Sequence, residues 1–177
     1  PTAIVTDAGL TVKQALELGN ARLDLSGHYI DTGETAELLQ AVELLDFQGL
    51  DITGLKIERG DVLLSTSIHN VNALKSAGVI FDSSGTEKLF TIDEGSLGPI
   101  QALDLDSLGA DLSLKRVEVE GAFVPASLAT QLSLIQGVDL SNVLTRADNL
   151  TILQIQELEA RGIRVDQELN ILENDSQ

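Results

Sequence analysis

Cysteine, methionine and tryptophan are all missing from the 177-residue sequence. Without cysteine the chain can form neither disulfide bonds nor thiolate metal sites. Aromatic residues make up only 3% of the chain, so a core has to be built from Leu, Val, Ile and Ala. No run of 18 or more apolar residues occurs, and we therefore expect no membrane-spanning helix. Because even position 1 is not methionine, we expect the sequence to be a processed or excised piece of a longer product.

Basic residues are also scarce. The chain has 28 Asp and Glu against 11 Lys and Arg, which gives a formal net charge of −17 at pH 7. This charge would repel nucleic acid and anionic membrane surfaces, both of which bind through clustered Lys and Arg. It favours instead a solvated acidic surface that attracts divalent cations. The apolar content of 43% is sufficient for a folded core, and we expect a single α/β repeat domain over residues 1–177.

The sequence does contain a repeat, visible where its predicted helices end. Glycine adopts most readily the left-handed backbone conformation with which helices commonly stop, and Asn is the next choice. Residues of these two types recur at a near-constant spacing of about 28 residues, which is typical of a repeat architecture. They mark the helix ends of six repeats and are Asn20, Gly49, Gly78, Gly109, Gly137 and Gly162.

The flanks of these six residues share one pattern. One and three residues later the side chains are apolar in every repeat, which predicts a short strand with one buried face. In three repeats, apolar residues ten, seven and four positions earlier predict a helix stripe, as in Leu39, Val42 and Leu45. The stripe is weaker in the fourth repeat, slips in register in the fifth and is interrupted by Lys13 in the first. The strand residues that we expect to form one column are Leu23, Ile52, Phe81, Leu112, Leu140 and Val165.

A second apolar patch follows in each repeat and predicts another short extended segment. The patches are Tyr29 with Ile30, Leu55 with Ile57, Phe90 with Ile92, Val117 with Val119, Val143 with Leu144, and Leu169 with Ile171. Residues that typically begin helices come next, and they predict starts at Thr32 with Glu34, at Ser96, at Pro125 and at Asn149.

This order of elements predicts an α/β solenoid of about six helix-turn-strand repeats whose strands stack in parallel. One repeat cannot bury its helix stripe and strand face alone, whereas stacked repeats share a continuous core. The alternative is a compact doubly wound α/β domain, which the near-constant repeat and the lack of long Val/Ile runs disfavour. The arrangement is leucine-rich-repeat-like, but no Asn recurs at the fixed offset that a true leucine-rich repeat requires.

Two segments of the first 50 residues or so, Leu10–Asn20 (LTVKQALELGN) and Ile30–Ile52 (IDTGETAELLQAVELLDFQGLDI), resemble repeats of large secreted and surface proteins of bacteria. Those repeats run through a Leu-Thr-Val-x-x-Ala helix start, a Gly-Val step and an Asp-Thr step. The match thins afterwards, since Asp-Thr is not repeated as such. The resemblance implies a place in a repetitive exported protein of adhesin, surface-layer or filament type, with no catalytic residues.

No pattern typical of an active site occurs in the sequence. His28 and His69 are single, without a second His at ligand spacing, and we expect both to be solvated. A Gly-Thr-Glu-Lys-Leu segment at 85–89 lacks the upstream Gly of a phosphate-binding loop. Asn149 and Asn174 begin Asn-x-Ser/Thr triplets, and helix capping accounts for the first of these without any sugar.

Calcium is the one ion for which the sequence offers candidates. Asp104, Asp106 and Asp111 form its densest regular acidic spacing, and Ca²⁺ needs several converging oxygen atoms. Asp104 and Asp106 fall in an expected helix, where residues two apart diverge around the axis. They would face one ion only if that segment were extended, and diffuse screening by cations is the simpler interpretation.

We therefore expect a non-enzymatic structural, assembly or adhesion domain, outside the bacterial cell or at its surface. Neither end has the polar cap that a solenoid needs, so we expect end-to-end self-association or contact with neighbouring repeats of a longer chain. A first alternative is a repeat-type module that binds protein or glycan on its strand face. A second is an α/β enzyme, which would need a deep cleft with convergent polar groups.

Overall fold

The computed structural model describes residues 8–83 and 86–167. Over these residues the protein is a mixed α/β structure of six helices and twelve short strands, which confirms the predicted class. The helices are α1 (Val12–Asn20), α2 (Leu38–Leu45), α3 (Ile68–Ser76), α4 (Pro99–Ser107), α5 (Ala126–Ser133) and α6 (Ile152–Ala160). The strands are β1 (Gly9–Leu10), β2 (Tyr29–Ile30), β3 (Thr35–Ala36), β4 (Lys56–Ile57), β5 (Ser65–Thr66), β6 (Ile80–Phe81), β7 (Phe90–Ile92), β8 (Ser96–Leu97), β9 (Ala110–Asp111), β10 (Arg116–Val117), β11 (Leu144–Arg146) and β12 (Arg164–Asp166).

The helices have only eight or nine residues, so one apolar stripe of two turns decides which side each helix buries. The stripe uses the first, fourth and seventh helical positions, as Leu38, Ala41 and Leu44 do in α2. The fourth position is Ala in four of the six helices that the structure describes. Alanine has the highest helix propensity, and its small side chain allows a close approach of the neighbouring element.

Threonine begins two of the helices through reciprocal capping. The hydroxyl of Thr11 accepts from the Gln14 N–H, while the Gln14 side chain accepts from the Thr11 N–H. Thr151 and Gln154 repeat this arrangement at α6. The start predicted at Asn149 is therefore two residues early.

Two other predicted starts are also wrong, and one is correct. Helix α2 begins after Glu37 and not at Thr32 with Glu34, while Ser96 lies in β8 ahead of α4. These residues resemble helix caps in type, but Thr32 and Glu34 precede the short strand β3 and Ser96 begins β8, and the sequence pattern revealed neither strand. Pro125 does precede α5 directly, as predicted.

The left-handed turn after each helix confirms five of the six predicted positions. Gly49, Gly78, Gly109, Gly137 and Gly162 all have positive φ, between 75° and 89°. In the first repeat the left-handed residue is Arg22 (φ 61°), and Asn20 is the last residue of the helix. Counted from Arg22, buried Leu25 takes the place expected for Leu23. When the helix positions are also counted from Arg22, the apolar stripe of this repeat consists of Val12, Ala15 and Leu18. Lys13 then lies outside the stripe and does not interrupt it.

The stripe predicted for α2 is displaced by one residue. Leu39 is exposed, and the buried positions are those directly before the predicted ones. Three residues separate α2 from Gly49, whereas Ala77 alone separates α3 from Gly78. Because the turns differ in length, the residue a fixed number of positions before the glycine lies on a different face of α2 than of α3.

Parallel backbone pairing joins the strands by one rule throughout the described residues. The strand before a helix pairs with a strand after that helix, as β3 before α2 pairs with β4 after it. The second strand also pairs, on its other edge, with a segment that follows the next helix, as β4 pairs with β6 after α3. We call each set a strand triplet. The triplets are β1–β2–Asp51, β3–β4–β6, β5–β7–β9, β8–β10–Asp139 and Val124–β11–β12.

Each triplet thus takes its three segments from successive repeats. Among the residues that the structure describes, equivalent strands, which we expected to stack in parallel, do not form backbone pairs with one another. For example, β6 follows α3 and pairs with β4, which occupies a different place in its repeat. The pairing is nevertheless parallel, because each partner is reached through a helical crossover. Leu169 and Ile171 lie outside the described residues.

The chain divides into two compact subdomains. The first comprises Pro1–Glu94 and Leu105–Asp111, and the second comprises Gly95–Asp104 and Leu112–Gln177. The first contains the three triplets centred on β2, β4 and β7. The second contains the two centred on β10 and β11.

The core is aliphatic, as the composition requires. Phe90 is fully buried, and its ring packs against Phe81 with centroids 5.4 Å apart and an interplanar angle of 54°. None of the helices within residues 8–83 and 86–167 combines the length and the apolar character that crossing a bilayer requires.

Leu114 provides a test of the turn geometry. It is 95% exposed with φ 66°, whereas the equivalent residues of the first two repeats are Gly27 and Gly54. A left-handed backbone costs a residue with a Cβ roughly 1–2 kcal/mol, partly offset by the greater chain entropy of Gly. We expect Leu114→Gly to raise the free energy of unfolding by up to about 1 kcal/mol in urea titrations.

Leu134→Gly is the matched control, because Leu134 is also exposed but has φ −84°. We expect this control to lower stability, since Gly gains nothing at negative φ. Equal losses in the two variants would contradict strain at Leu114.

Candidate functional site

Two of the left-handed glycines, Gly49 and Gly78, lie close to residues of the preceding repeat. A Cβ on Gly49 would lie 2.6 Å from the Ser26 Oγ and 3.0 Å from the Ser26 Cα. A Cβ on Gly78 would lie 3.0 Å from the Thr53 Cγ2, and the Thr53 hydroxyl donates to the Ala77 carbonyl at 3.3 Å. Glycine is therefore required twice over, by the positive φ and by the neighbouring repeat.

Aspartates shape the turns that carry these serine and threonine residues. In three turns a carboxylate oxygen accepts a hydrogen bond from the N–H two residues later. These bonds join Asp24 to Ser26 at 2.9 Å, Asp51 to Thr53 at 2.9 Å, and Asp139 to Ser141 at 3.0 Å. The residue between each pair is buried in the core, so the bonds hold polar turn and apolar strand in register.

The same hydrogen bonds stabilise the charged form of the carboxylates. The Ser26 N–H lowers the pKa of Asp24, and the Thr53 hydroxyl lowers the pKa of Asp51. The pKa of Asp139 falls to about 2, first through the Ser141 hydroxyl and N–H and then through Arg116. The Arg116 Nε lies 3.1 Å from the Asp139 Oδ2, which adds a side-chain link within the β8–β10–Asp139 triplet.

Glutamates bind two helix N-termini. Glu34 accepts from the Val12 N–H at 2.8 Å, and both carboxylate oxygens of Glu94 accept from the Ile68 N–H at 3.0 and 3.1 Å. A carboxylate complements the partial positive charge at the start of a helix. Glu34, predicted to begin a helix, thus serves the preceding one.

A cavity of about 640 Å³ lies within the second subdomain, where α5 and α6 begin. Its lining includes Phe123, Pro125, Arg146, Asp148 and Gln154. Pro125 precedes α5 without providing a side-chain cap. The lining combines an aromatic ring with polar groups of both charges.

Arg146 and Phe123 form the most distinctive contact of this cavity. The guanidinium carbon lies 4.5 Å from the ring centroid, a cation–π geometry. The parallel bridge between Val124 and Thr145 brings the two side chains together. Sequence reasoning singled out neither residue. The sequence separation between paired strands, 20 to 26 residues, is the signal that would have related them.

The two histidines differ in solvent exposure. His69 is exposed on α3, as predicted. His28 is half-buried, and its Nδ1 is buried without a hydrogen-bond partner. Complete solvation of His28 was therefore the wrong expectation, because the residue lies between the core positions Leu25 and Ile30.

The three aspartates considered for calcium occupy different elements. Asp104 and Asp106 lie on α4, as predicted, and Asp111 lies in β9. Asp106 accepts from the Lys88 Nζ at 2.9 Å. Within the described ranges no group of three or more His, Asp or Glu side chains is placed to hold a metal ion. Calcium binding stays a prediction without an assembled site.

The two glycosylation patterns differ in what can be said of them. The hydroxyl of Thr151 caps α6, in agreement with the capping interpretation of Asn149-Leu-Thr. Asn174 lies outside the described residues.

No protein-family model, curated protein or solved structure matches the chain.

The Asp139 turn predicts a specific acid sensitivity. Its folded-state pKa of about 2 lies below the ordinary value of 3.8, so its contribution to stability is complete above about pH 4 and is lost as pH falls towards 2. Asp139→Asn keeps the turn bond but cannot titrate. We expect its melting temperature to change less between pH 4 and pH 2 than that of the unchanged protein. Asp61→Asn, at an exposed loop position, is the control and should retain the original pH dependence.

Contact between repeats predicts unequal effects of one substitution at two glycines. Gly49 and Gly162 have φ 81° and 89°, but a Cβ on Gly162 would meet nothing within 4 Å. Both Gly→Ala variants incur the same backbone strain, and only Gly49→Ala also displaces Ser26. We expect Gly49→Ala to lose roughly 1–3 kcal/mol more unfolding free energy than Gly162→Ala. Equal losses in urea titrations would show that this contact contributes nothing.

Proposed function

We propose that the chain is a structural α/β repeat domain of solenoid type, acting in assembly or adhesion outside a bacterial cell or at its surface. The observation that carries the proposal is the strand triplet, which recurs three times in the first subdomain and twice in the second. Every triplet takes backbone from successive repeats, so each repeat depends on its neighbour, as in solenoid proteins. The proposed role is non-enzymatic.

The first turn of α6 supports association with a further repeat. Ile152 at its first position is 77% exposed, whereas Val12 and Leu38 at the same position of α1 and α2 are 5% and 1% exposed. Leu153 beside it is exposed as well. Burying such side chains is favourable by roughly 25 cal/mol per Å² of apolar surface. We propose that a repeat of a second copy of this chain covers them.

The net charge of −17 makes this association dependent on salt. Like-charged copies repel each other at low ionic strength, and added ions screen the repulsion. Divalent cations screen more strongly than monovalent ones at equal concentration. The acidic composition is therefore compatible with assembly that begins only when cations are present.

Sedimentation velocity tests the proposal directly. We expect the sedimentation coefficient to rise with protein concentration and with NaCl, and to rise further with CaCl₂. Ile152→Glu combined with Leu153→Glu should abolish the increase by placing charges in the contact. Leu134→Glu, at another exposed leucine, is the control and should leave it intact.

Two results would contradict the proposal. One is a monomer that sediments identically at every concentration and salt. The other is undiminished association of the Ile152→Glu, Leu153→Glu variant, which would exclude the start of α6 as the contact.

A repeat-type binding module is the second candidate function. The cavity beside Phe123 favours it, since it offers a concave surface with both aromatic and polar groups.

A further inference from the structure

The cavity beside Phe123 borders the contact proposed above, because the first turn of α6 contributes Gln154 to its lining. Its volume of about 640 Å³ falls in the range of small-ligand sites. We propose that it binds a neutral sugar ring, either as a free saccharide or as one residue of a glycan. The cavity lies within the second subdomain, and neither Ile152 nor Leu153 lines it.

Polar groups at the rim of the cavity have hydrogen-bonding capacity that the protein does not use. In the part of the chain that the structure describes, the Arg146 guanidinium packs over the Phe123 ring, and the side chains of Asp148 and Asn149 form no hydrogen bond. Gln154 accepts from the Thr151 N–H through Oε1, which leaves its amide N–H groups available. These four side chains offer both donors and acceptors.

The charges of the lining favour a neutral ligand. Arg146 and Asp148 are the only charged residues among those that line the cavity, and their charges cancel. An anion would meet Asp148 and the field of a chain with net charge −17, while a cation would meet Arg146. A neutral ligand with many hydroxyl groups can bond to both residues at once.

The hydrogen-bonding chemistry of these groups suits a sugar in particular. A guanidinium, a carboxylate and a carboxamide each present two polar atoms in a fixed fork. Neighbouring hydroxyls of a pyranose ring can engage such a fork in pairs. The carbon-bound hydrogens of the ring form an apolar face, which can pack against Phe123, 38% exposed, and the exposed Pro125.

An extended peptide fits the site less well. Peptides commonly bind by adding a strand to an open edge. Here the Val124 N–H donates to the Leu144 carbonyl at 2.8 Å, and the Val124 carbonyl accepts from the Thr145 hydroxyl at 2.8 Å. The backbone that borders the cavity is therefore already bonded.

Titration of the ¹⁵N-labelled chain with single saccharides tests the proposal. The probes are glucose, galactose, mannose and N-acetylglucosamine, with sodium acetate and triglycine in separate arms. With at least one saccharide we expect saturable amide shifts confined to residues 123–130 and 145–154, with a Kd of about 1–10 mM. Asp148→Asn should weaken binding roughly tenfold, because it removes a charged acceptor. Phe123→Leu should weaken it through loss of the aromatic surface.

Asp61→Asn is the matched control and should bind as the unchanged chain does. Amide spectra that superimpose away from the cavity establish that each variant is folded. The proposal is overturned if no saccharide shifts these amides, or if binding is the same in Asp148→Asn and Phe123→Leu as in the unchanged chain. It is also overturned if acetate or triglycine binds there as tightly as the best saccharide.

Discussion

Parallel backbone hydrogen bonding within the strand triplets is the constraint on which the rest of the structure depends. Most strands here have only two residues, far too few to be stable as isolated pairs. Each triplet gathers the strand before a helix, the strand after it and the segment that follows the next helix. The helix between two paired strands must therefore be short, must stop sharply and must bury a narrow stripe. Helices of eight or nine residues, left-handed glycines and alanine at the fourth helical position meet these three requirements.

Several of the acidic residues have identifiable structural roles. Asp24, Asp51 and Asp139 are turn-forming residues whose carboxylates accept backbone N–H groups, while Glu34 and Glu94 bind helix N-termini. Part of the negative charge is thus structural and is bonded where the backbone provides donors. The remainder covers the surface and makes contact between copies sensitive to ions. The cavity beside Phe123 differs from both cases. Its two charged residues, Arg146 and Asp148, are exposed and carry opposite charges.

Sequence reasoning reached the α/β class, the number of helices and the left-handed glycines because these follow from local chemistry. A glycine that follows the apolar stripe of a helix adopts the left-handed conformation without strain, and this conformation recurs wherever the sequence pattern recurs. Positions counted from the end of a helix were wrong where the length of the turn varied. Asn20 was predicted as the left-handed residue in place of Arg22, so the positions predicted for the first repeat were wrong by two residues. The longer turn before Gly49 displaced the predicted apolar stripe of α2 by one residue. The strands β3, β5 and β8, which precede α2, α3 and α4, were not predicted, since two residues such as Ser65 and Thr66 show no periodicity.

By itself the sequence determined a cysteine-free aliphatic core, six short helices with sharp left-handed ends and a strongly acidic surface. These properties follow from side-chain chemistry and from steric limits on single residues. Only the tertiary structure decided which strands pair, which serine or threonine lies against which glycine, and that Phe123 meets Arg146. The physical reason is that backbone donors and acceptors are the same in every residue. A strand of two residues carries too little side-chain information to select its partner, so the choice is made by how successive helices pack and return the chain.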